Sequence, residues 1–538
     1  MMPTLPHRPT AFPRRAALLG VFLAILALPA RGQSTEKIVD QYVRAMGGAK
    51  SLAKIESAKI VGAVHEPGVD TPGSYTLLLK APNKFYSEIL IGDDRSIEAF
   101  NGKSAWLEDS AAAHTLTGNA PALAASSGRF WNGRLADAKK DKIEMRFAGV
   151  ETIGGRPADH IELTFSRGAR RQVFFDQASH LLVREILTGA PQIAASPDAG
   201  APIQYDYSDY RKTSGVPVAY AVEIHGAGRD FRVSVTSVEF GAAIADSVFD
   251  FPAVAGSPLP DIPTLLRDVV KNQSAIEQIT RQYTCHLSEQ EEKSDSQGKI
   301  TSSTVSEYDV FYVGGEEVRH LLAKNGKPLE GEEKQKEDKR FNKEFDKLQK
   351  KAAETAADPK KQQKQAEEDQ AQISDFLKAE RLTNPRRERF RGEDVIVFDF
   401  GPNPDYKPKN LEESVVQKLV GVIWVDEQAR DVARLEAVFS ENAKIGGGLL
   451  ASLSKGSNLV FEQSLVNNEV WLPSYTEVHA SARVLFLHAK ANEIDRYSNY
   501  RKFQVETHIG AAVPVDNPAG PGNAPAAGTP SAGEPSPK

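Results

Sequence analysis

Residues 171–186, RQVFFDQASHLLVREI, read as a strand, a turn and a second strand, and a similar pattern returns at 420–436 as VGVIWVDEQARDVARLE. In each copy a run of β-branched and aromatic residues stops at an aspartate, Asp176 or Asp426. A polar turn follows, and the second strand carries an arginine, Arg184 or Arg434. Apolar runs bounded by turn residues are the mark of paired strands. Writing the element twice in one chain predicts a duplicated, β-rich unit.

The flanks repeat as well. Upstream of the first copy, STEKIVDQYVRAMGG places Ile38, Tyr42, Val43 and Met46 at helical spacing, with Ser34 as the N-cap and Gly47-Gly48 as the stop. Short strands follow, separated by Gly, Pro, Asn and Asp turns, until an Ala-rich stretch at 111–141 breaks the pattern. A Pro-rich linker at 253–263 closes this half, and TLLRDVVKNQSAIEQI then starts the second with another helix. Its helical interruption is a charged insertion, 332–381, with Phe341, Phe345, Leu348 and Ala352 forming one narrow apolar stripe. Near the end of each half a proline precedes a tyrosine, Pro217 with Tyr220 and Pro473 with Tyr475. The predicted architecture is therefore mainly β with helices (α+β), in two tandem units at 34–252 and 264–510.

The two ends read differently. Arg8, Arg14 and Arg15 precede the apolar run AALLGVFLAILAL, and small residues near Gly32 offer a cleavage site, the pattern of a secretory signal over 1–32. Whether Arg14-Arg15 directs a twin-arginine route is left open by the pair alone. Residues 511–538 are Pro, Gly, Ala and Ser with almost no large apolar side chain, so they are expected to be disordered. The lone cysteine, Cys285, cannot form an internal disulfide and is expected to be a packed thiol on a strand. The net charge of −6 falls to −10 once the four arginines of the signal are removed. An acidic chain without a basic stripe is a poor candidate for nucleic acid, and it lacks the polybasic cluster that would hold it to anionic lipid.

No catalytic signature stands out. The eleven histidines are scattered, no His-Glu-x-x-His or Gly-x-Ser-x-Gly is present, and GGAKS and NGKS lack the Walker spacing. The expectation is a non-enzyme with no catalytic residue, metal or cofactor. What remains is a shape: a long antiparallel sheet with few helices leaves an apolar face to be covered. Trp106, Phe130, Trp131, Phe174, Phe175, Trp424 and Trp471 are the bulky candidates for the wall of an apolar groove.

Taken together, VDQYVRAMGG, FNGKSAWLED, VFFDQASHLLVREI and DYSDYRKTSGVPVAYAVEI ending at FDFP resemble the LolA/LolB-like outer-membrane lipoprotein-sorting proteins. The resemblance implies an open antiparallel half-barrel per unit, with an N-terminal helix and a helical lid over an apolar concave face. By the same likeness, 111–141 and 332–381 would be the lids, and the groove would shelter lipid or lipoprotein acyl chains in the periplasm with transient membrane contact at most. The strand arginine that secures the lid in such carriers is not identifiable from the sequence. The alternative is a non-catalytic envelope scaffold with self-filled barrels, docking a partner through 332–381.

Overall fold

The computed structural model describes residues 34–502 apart from short interruptions, the longest at 189–201 and 359–372. The expected signal at 1–32, the tail at 511–538, and parts of the linker and of the charged insertion lie outside the described residues.

Helix α1 (Thr35–Ala45) starts on Ser34, whose side chain accepts from the Lys37 amide, and ends before Gly47 at φ 100°. It buries Ile38, Val39, Tyr42 and Val43, each worth about 1.5–3 kcal/mol over leaving it exposed. After the short α2 (Ala49–Leu52) come β1 (Ser57–His65), β2 (Gly73–Lys80), β3 (Lys84–Ile91), β4 (Asp94–Phe100), β5 (Ala105–Glu108) and β6 (Ala113–Thr115). Helix α3 (Ala120–Trp131) then crosses to β7 (Glu144–Ile153), β8 (Arg156–Thr164), β9 (Arg170–Asp176) and β10 (Leu182–Thr188). The half ends with β11 (Ile203–Thr213), β12 (Val216–Gly226) and β13 (Arg229–Phe240). All thirteen form one antiparallel sheet, β6-β5-β4-β3-β2-β1-β13-β12-β11-β10-β9-β8-β7, in which the last strand pairs with the first.

The second half winds the same way. Helix α4 (Ile262–Thr280) leads to β14 (Tyr283–Ser294), β15 (Ile300–Val313), β16 (Glu316–Lys324) and β17 (Lys327–Pro328). Helices α5 (Gly331–Ala356) and α6 (Ile373–Ala379) precede β18 (Glu380–Phe390) and β19 (Glu393–Pro402), and α7 (Leu411–Val416) precedes β20 (Leu419–Asp426) and β21 (Val432–Phe439). Two short strands, β22 (Ala443–Ile445) and β23 (Ala451–Leu453), stand aside from the main path. The half finishes with β24 (Asn458–Val466), β25 (Val470–Val484) and β26 (Leu487–Lys502). The order is β17-β16-β15-β14-β26-β25-β24-β21-β20-β19-β18, again closed by pairing the first long strand with the last.

The repeated hairpin is the same object in both halves. Asp176 accepts from the amides of Ala178 and Ser179, and Asp426 from those of Gln428 and Ala429. His180 and Arg430 both take φ 59°, and their amides bond back to the Asp176 and Asp426 carbonyls at 2.8 and 2.9 Å. Each second strand bulges before its arginine, which sits opposite an acid on the following strand, Arg184 opposite Asp206 and Arg434 opposite Glu462. An aspartate that caps its own turn fixes the hairpin locally, which is why the sequence announces it so clearly.

Alternation along the strands sorts side chains to two faces. The inner face of the first sheet carries Phe85, Phe100, Ala58 and Phe240 under α3, and Ile161, Val173 and Phe175 under α1. The outer face carries Ile97, Ala99 and Trp106, sealed by Phe249 and Phe251 from the segment after β13. In the second half, Leu265 and Val269 of α4 and Phe376 and Leu377 of α6 cover Ile396, Phe398, Ile423 and Leu435.

Helix α5 does not join them, so within the insertion expected as a lid, 332–381, it is α6 and not the long charged helix that lies over this face. Phe341 and Phe345 of α5 pack on Phe311 and His320, which point away from the side of Cys285, Val310 and Tyr283 that faces α4. An amphipathic stripe says that a helix has a partner face; it does not say on which side of the sheet that face lies.

The halves meet through buried polar groups. Asn101 donates to Asp399 at 2.9 Å, and Thr115 gives its amide and hydroxyl to Glu388 at 2.9 and 2.5 Å. Arg386 bonds Asp399 at 3.0 Å and lies 5.3 Å over the ring of Phe251. The Gly118 amide reaches Glu436 at 3.0 Å. Asp399, Glu388 and Glu436 are on the outer face of the second sheet, alternating with the inner Phe398, Leu435 and Ala437. On the second sheet the contact therefore uses the outer face, which the first half meets with Thr115, paired with the outward Trp106, with Phe251, and with the turn residues Asn101 and Gly118.

Candidate functional site

The concave face of the first half has a covered end and an open end. At the covered end Arg171 on β9 is completely buried, an expensive position for a charge unless it is paired, and among the described residues its Nε finds no partner while both terminal nitrogens do. It donates to Glu185 on β10, itself fully buried, and to the hydroxyls of Ser127 and Ser126 on α3 at 2.6 and 3.4 Å. Its guanidinium lies 4.8 Å over Phe130 and 6.0 Å over Trp131. Glu185 also accepts from Trp131 Nε1 at 3.0 Å and from the Tyr207 hydroxyl. This one pair thus ties α3 to β9, β10 and β11. Close approach of the helix requires Gly128, where an added Cβ would stand 1.9 Å from the Asn83 carbonyl oxygen.

Next to this latch the wall changes character. Trp131 stands edge-on to Phe85 at 5.1 Å and to Tyr205 at 6.0 Å, bridging β3 and β11 across the concavity. Tyr205 stacks on Tyr207 at 6.4 Å. Glu98 on β4 lies on the same face, two residues from the inner Phe100 and opposite Ser87. Tyr75, Glu98, Tyr205 and Tyr207 are deeply surrounded by protein, yet each keeps partial access to solvent. Both hold at once for residues on the wall of a water-accessible hollow. Desolvation pushes the Glu98 carboxyl up to about 7, with Arg171 pulling the other way. Burial pushes the Tyr75 hydroxyl up to about 12, and burial together with the charges of Glu98 and Glu185 raises Tyr205 well above its ordinary range.

Further out, the long strands carry an apolar surface that, among the described residues, no helical residue joins. Ile60, Tyr75, Ile89, Val222, Ile224 and Phe231 are all partly exposed around a buried core of Val64, Ile91, Val233 and Val235. In the second half the corresponding stretch beyond α4 starts apolar, with Cys285, Leu287 and Val310 among tyrosines, and turns acidic at Glu289, Glu493 and Asp495. Arg319 donates to Glu289 at 2.5 Å, and burial followed by the neighbouring Glu493 pushes Asp495 up to about 6. Burial also pushes the Cys285 thiol up to about 12. A second acidic group, Asp206 with Glu223 and His225, is already committed, since Arg184 clamps Asp206 with bonds of 2.5 and 2.8 Å.

The seven aromatic residues singled out in the sequence divide between the faces. Phe130, Trp131 and Phe175 are on the concave side of the first sheet. Trp106 donates to the Phe249 carbonyl at 2.9 Å under the outer segment, and Phe174 stacks on His160 at 4.3 Å on the same outer side. Trp424 is packed with Val395, Val397 and Val422 on the outer face of the second sheet, and Trp471 joins that cluster. The sequence did not single out Arg171, Glu185 or Glu98. Arg170 and Arg171 are adjacent, so alternation requires one to face inward, and that was the available signal.

No family model matches the chain, and no curated protein does. Solved structures do, at low identity. A DUF1329 family protein from Desulfovibrio piger is 12% identical over 41% of this chain and 98% of its own, with a TM-score of 0.28. A LolA superfamily protein from Nitrosomonas europaea is 13% identical over 40% of this chain and 98% of its own, with a TM-score of 0.27. An outer membrane lipoprotein-sorting protein domain from Vibrio parahaemolyticus is 9% identical over 40% and 97%, with a TM-score of 0.27. The fold itself rests on the strand order and register given above.

Proposed function

We propose that the chain is an exported carrier or binding protein whose first half-barrel shelters the apolar part of a lipid or lipoprotein on its concave face. The observation that carries this reading is the partly exposed apolar wall from Ile60 to Phe231, set beside a helix latched by a buried arginine. Each acyl CH₂ withdrawn from water onto such a wall contributes about 0.8 kcal/mol, so shape and apolarity alone supply affinity. Helix α3, held by Arg171, is the element whose release would open the covered end. The signal-like segment at 1–32 and the mature negative charge support an envelope compartment. Helix α5, standing on the outer side with charges of both signs, is better suited to meeting an envelope partner than to covering the groove.

Native mass spectrometry of protein purified from the exported compartment, followed by lipid extraction, tests the reading. Stoichiometric acyl species that disappear in a folded Ile224→Lys variant are expected. A clean apo mass that also fails to take up added lipid would overturn it.

A further inference from the structure

Charge in the hollow beneath Trp131 does not balance. Arg171 is spoken for by Glu185 and two serine hydroxyls, while Glu98 faces it from β4 as a second carboxylate. Among the described residues Glu98 makes no hydrogen bond or ion pair, and the Tyr205 hydroxyl likewise has no bonded partner. Their strands stand on opposite wings of the sheet, but Glu98 lies two residues from Phe100, the strand partner of Phe85, and Trp131 touches the rings of both Phe85 and Tyr205, so Glu98 and Tyr205 line the same hollow. Around them are Trp131, Tyr75 and Tyr207, whose ring faces attract a cation as well as an apolar chain. An uncommitted carboxylate walled by aromatic rings, at the head of an apolar surface, is a recognition element for a positively charged head group.

We propose that the first half-barrel selects amphiphiles whose polar end carries an ammonium group, with Glu98 as the counter-charge and Trp131, Tyr75 and Tyr205 as its aromatic walls. This rests on the carrier reading and adds the ligand class to it. The apolar tail would run out along Ile60, Ile89, Val222 and Ile224. Because burial holds the free Glu98 carboxyl near 7, an ammonium group that keeps it ionised would release a proton on binding. The other charged or titratable groups facing the hollow are Arg171 and Glu185, bonded to each other, and Tyr75, Tyr205 and Tyr207, whose hydroxyls burial raises above their ordinary range.

The test is calorimetric titration of the full mature chain with three probes kept below micellar concentration: dodecyltrimethylammonium, dodecyl maltoside and tetramethylammonium. Expected are binding of both dodecyl probes, a preference of about tenfold for the cationic one, and a gain of about tenfold in its affinity between pH 6 and 8. Glu98→Gln should remove the preference and the pH dependence while leaving dodecyl maltoside binding intact, which also shows that the variant is folded. Equal affinity for both dodecyl probes, unmoved by Glu98→Gln, overturns the head-group proposal and leaves the carrier reading standing. Binding of tetramethylammonium as tight as the dodecyl cation overturns an amphiphile as the ligand. No binding of either dodecyl probe overturns both.

Discussion

Arg171→Met should show what the latch is worth. The substitution keeps an unbranched apolar stem against Phe130 but leaves Glu185 fully buried without its cation. Stranding one member of a buried pair costs about 3–5 kcal/mol. Glu185 retains bonds from Trp131 and Tyr207, so the low end, about 3 kcal/mol, is the expected value. For a unit of this size that lowers the melting temperature by about 6–12 °C. Adding Glu185→Gln removes the stranded charge and keeps an acceptor for both donors, so the double variant should recover about 2 kcal/mol of the loss. Urea unfolding of the two single variants and the double variant closes the cycle, and limited proteolysis within 120–131 reports whether α3 has loosened. If the double variant loses the sum of the two singles, the pair is not coupled and the latch as described is wrong.

Trp424→Ala should cost about 3–5 kcal/mol without altering apolar-dye binding, because the ring is packed on the outer face of the second sheet; parallel unfolding and dye titrations decide this. Glu380 is buried with neither carboxylate oxygen bonded, and desolvation pushes it up to about 8 against the pull of Lys103. A carboxyl raised on folding favours the native state below its unfolded value and loses that contribution as pH climbs through the folded one. Glu380→Gln should therefore flatten the decline in stability between about pH 4.5 and 8, by more than about 1.4 kcal/mol at the upper end; a pH series of urea midpoints would show it. Asn101→Ala removes donors to Asp399 and Asp250 and should cost about 1–3 kcal/mol. Scanning calorimetry should then resolve two transitions where the parent protein shows a single coupled one.

The legible part of the fold was the part written locally. Ser34, Gly47 and the Asp176 and Asp426 turns are caps and turns whose partners lie within a few residues, so the hairpin, the helix starts and the duplication could all be read directly. The face taken by each aromatic residue could not. In a sheet buried on both sides, Trp106 and Phe175 look alike in sequence, and what separates them is that Phe249 and Phe251 return from the end of the half to cover the outside. Trp424 faces outward into a cluster of Val395, Val397, Val422 and Phe390. The latch was hidden for a related reason: a charged residue on a strand reads as solvent-facing, and only the meeting of β9, β10 and α3 makes Arg171 an interior group. Glu98 was lost among many carboxylates, since its isolation is a property of the hollow.

The pairing of β1 with β13 sets Ala58 opposite Phe240, and the pairing of β14 with β26 sets Tyr283 opposite Lys502. Neither sheet can close until its final strand is available, so each half is a slow, high-contact-order folder whose early hairpins wait with open edges. If the chain is exported as proposed, that delay would keep the leading half unfolded until most of its length has crossed. The same closure means that a truncation before residue 240 or before 502 would cost a whole sheet, and any fragment approach to this protein should cut between the halves.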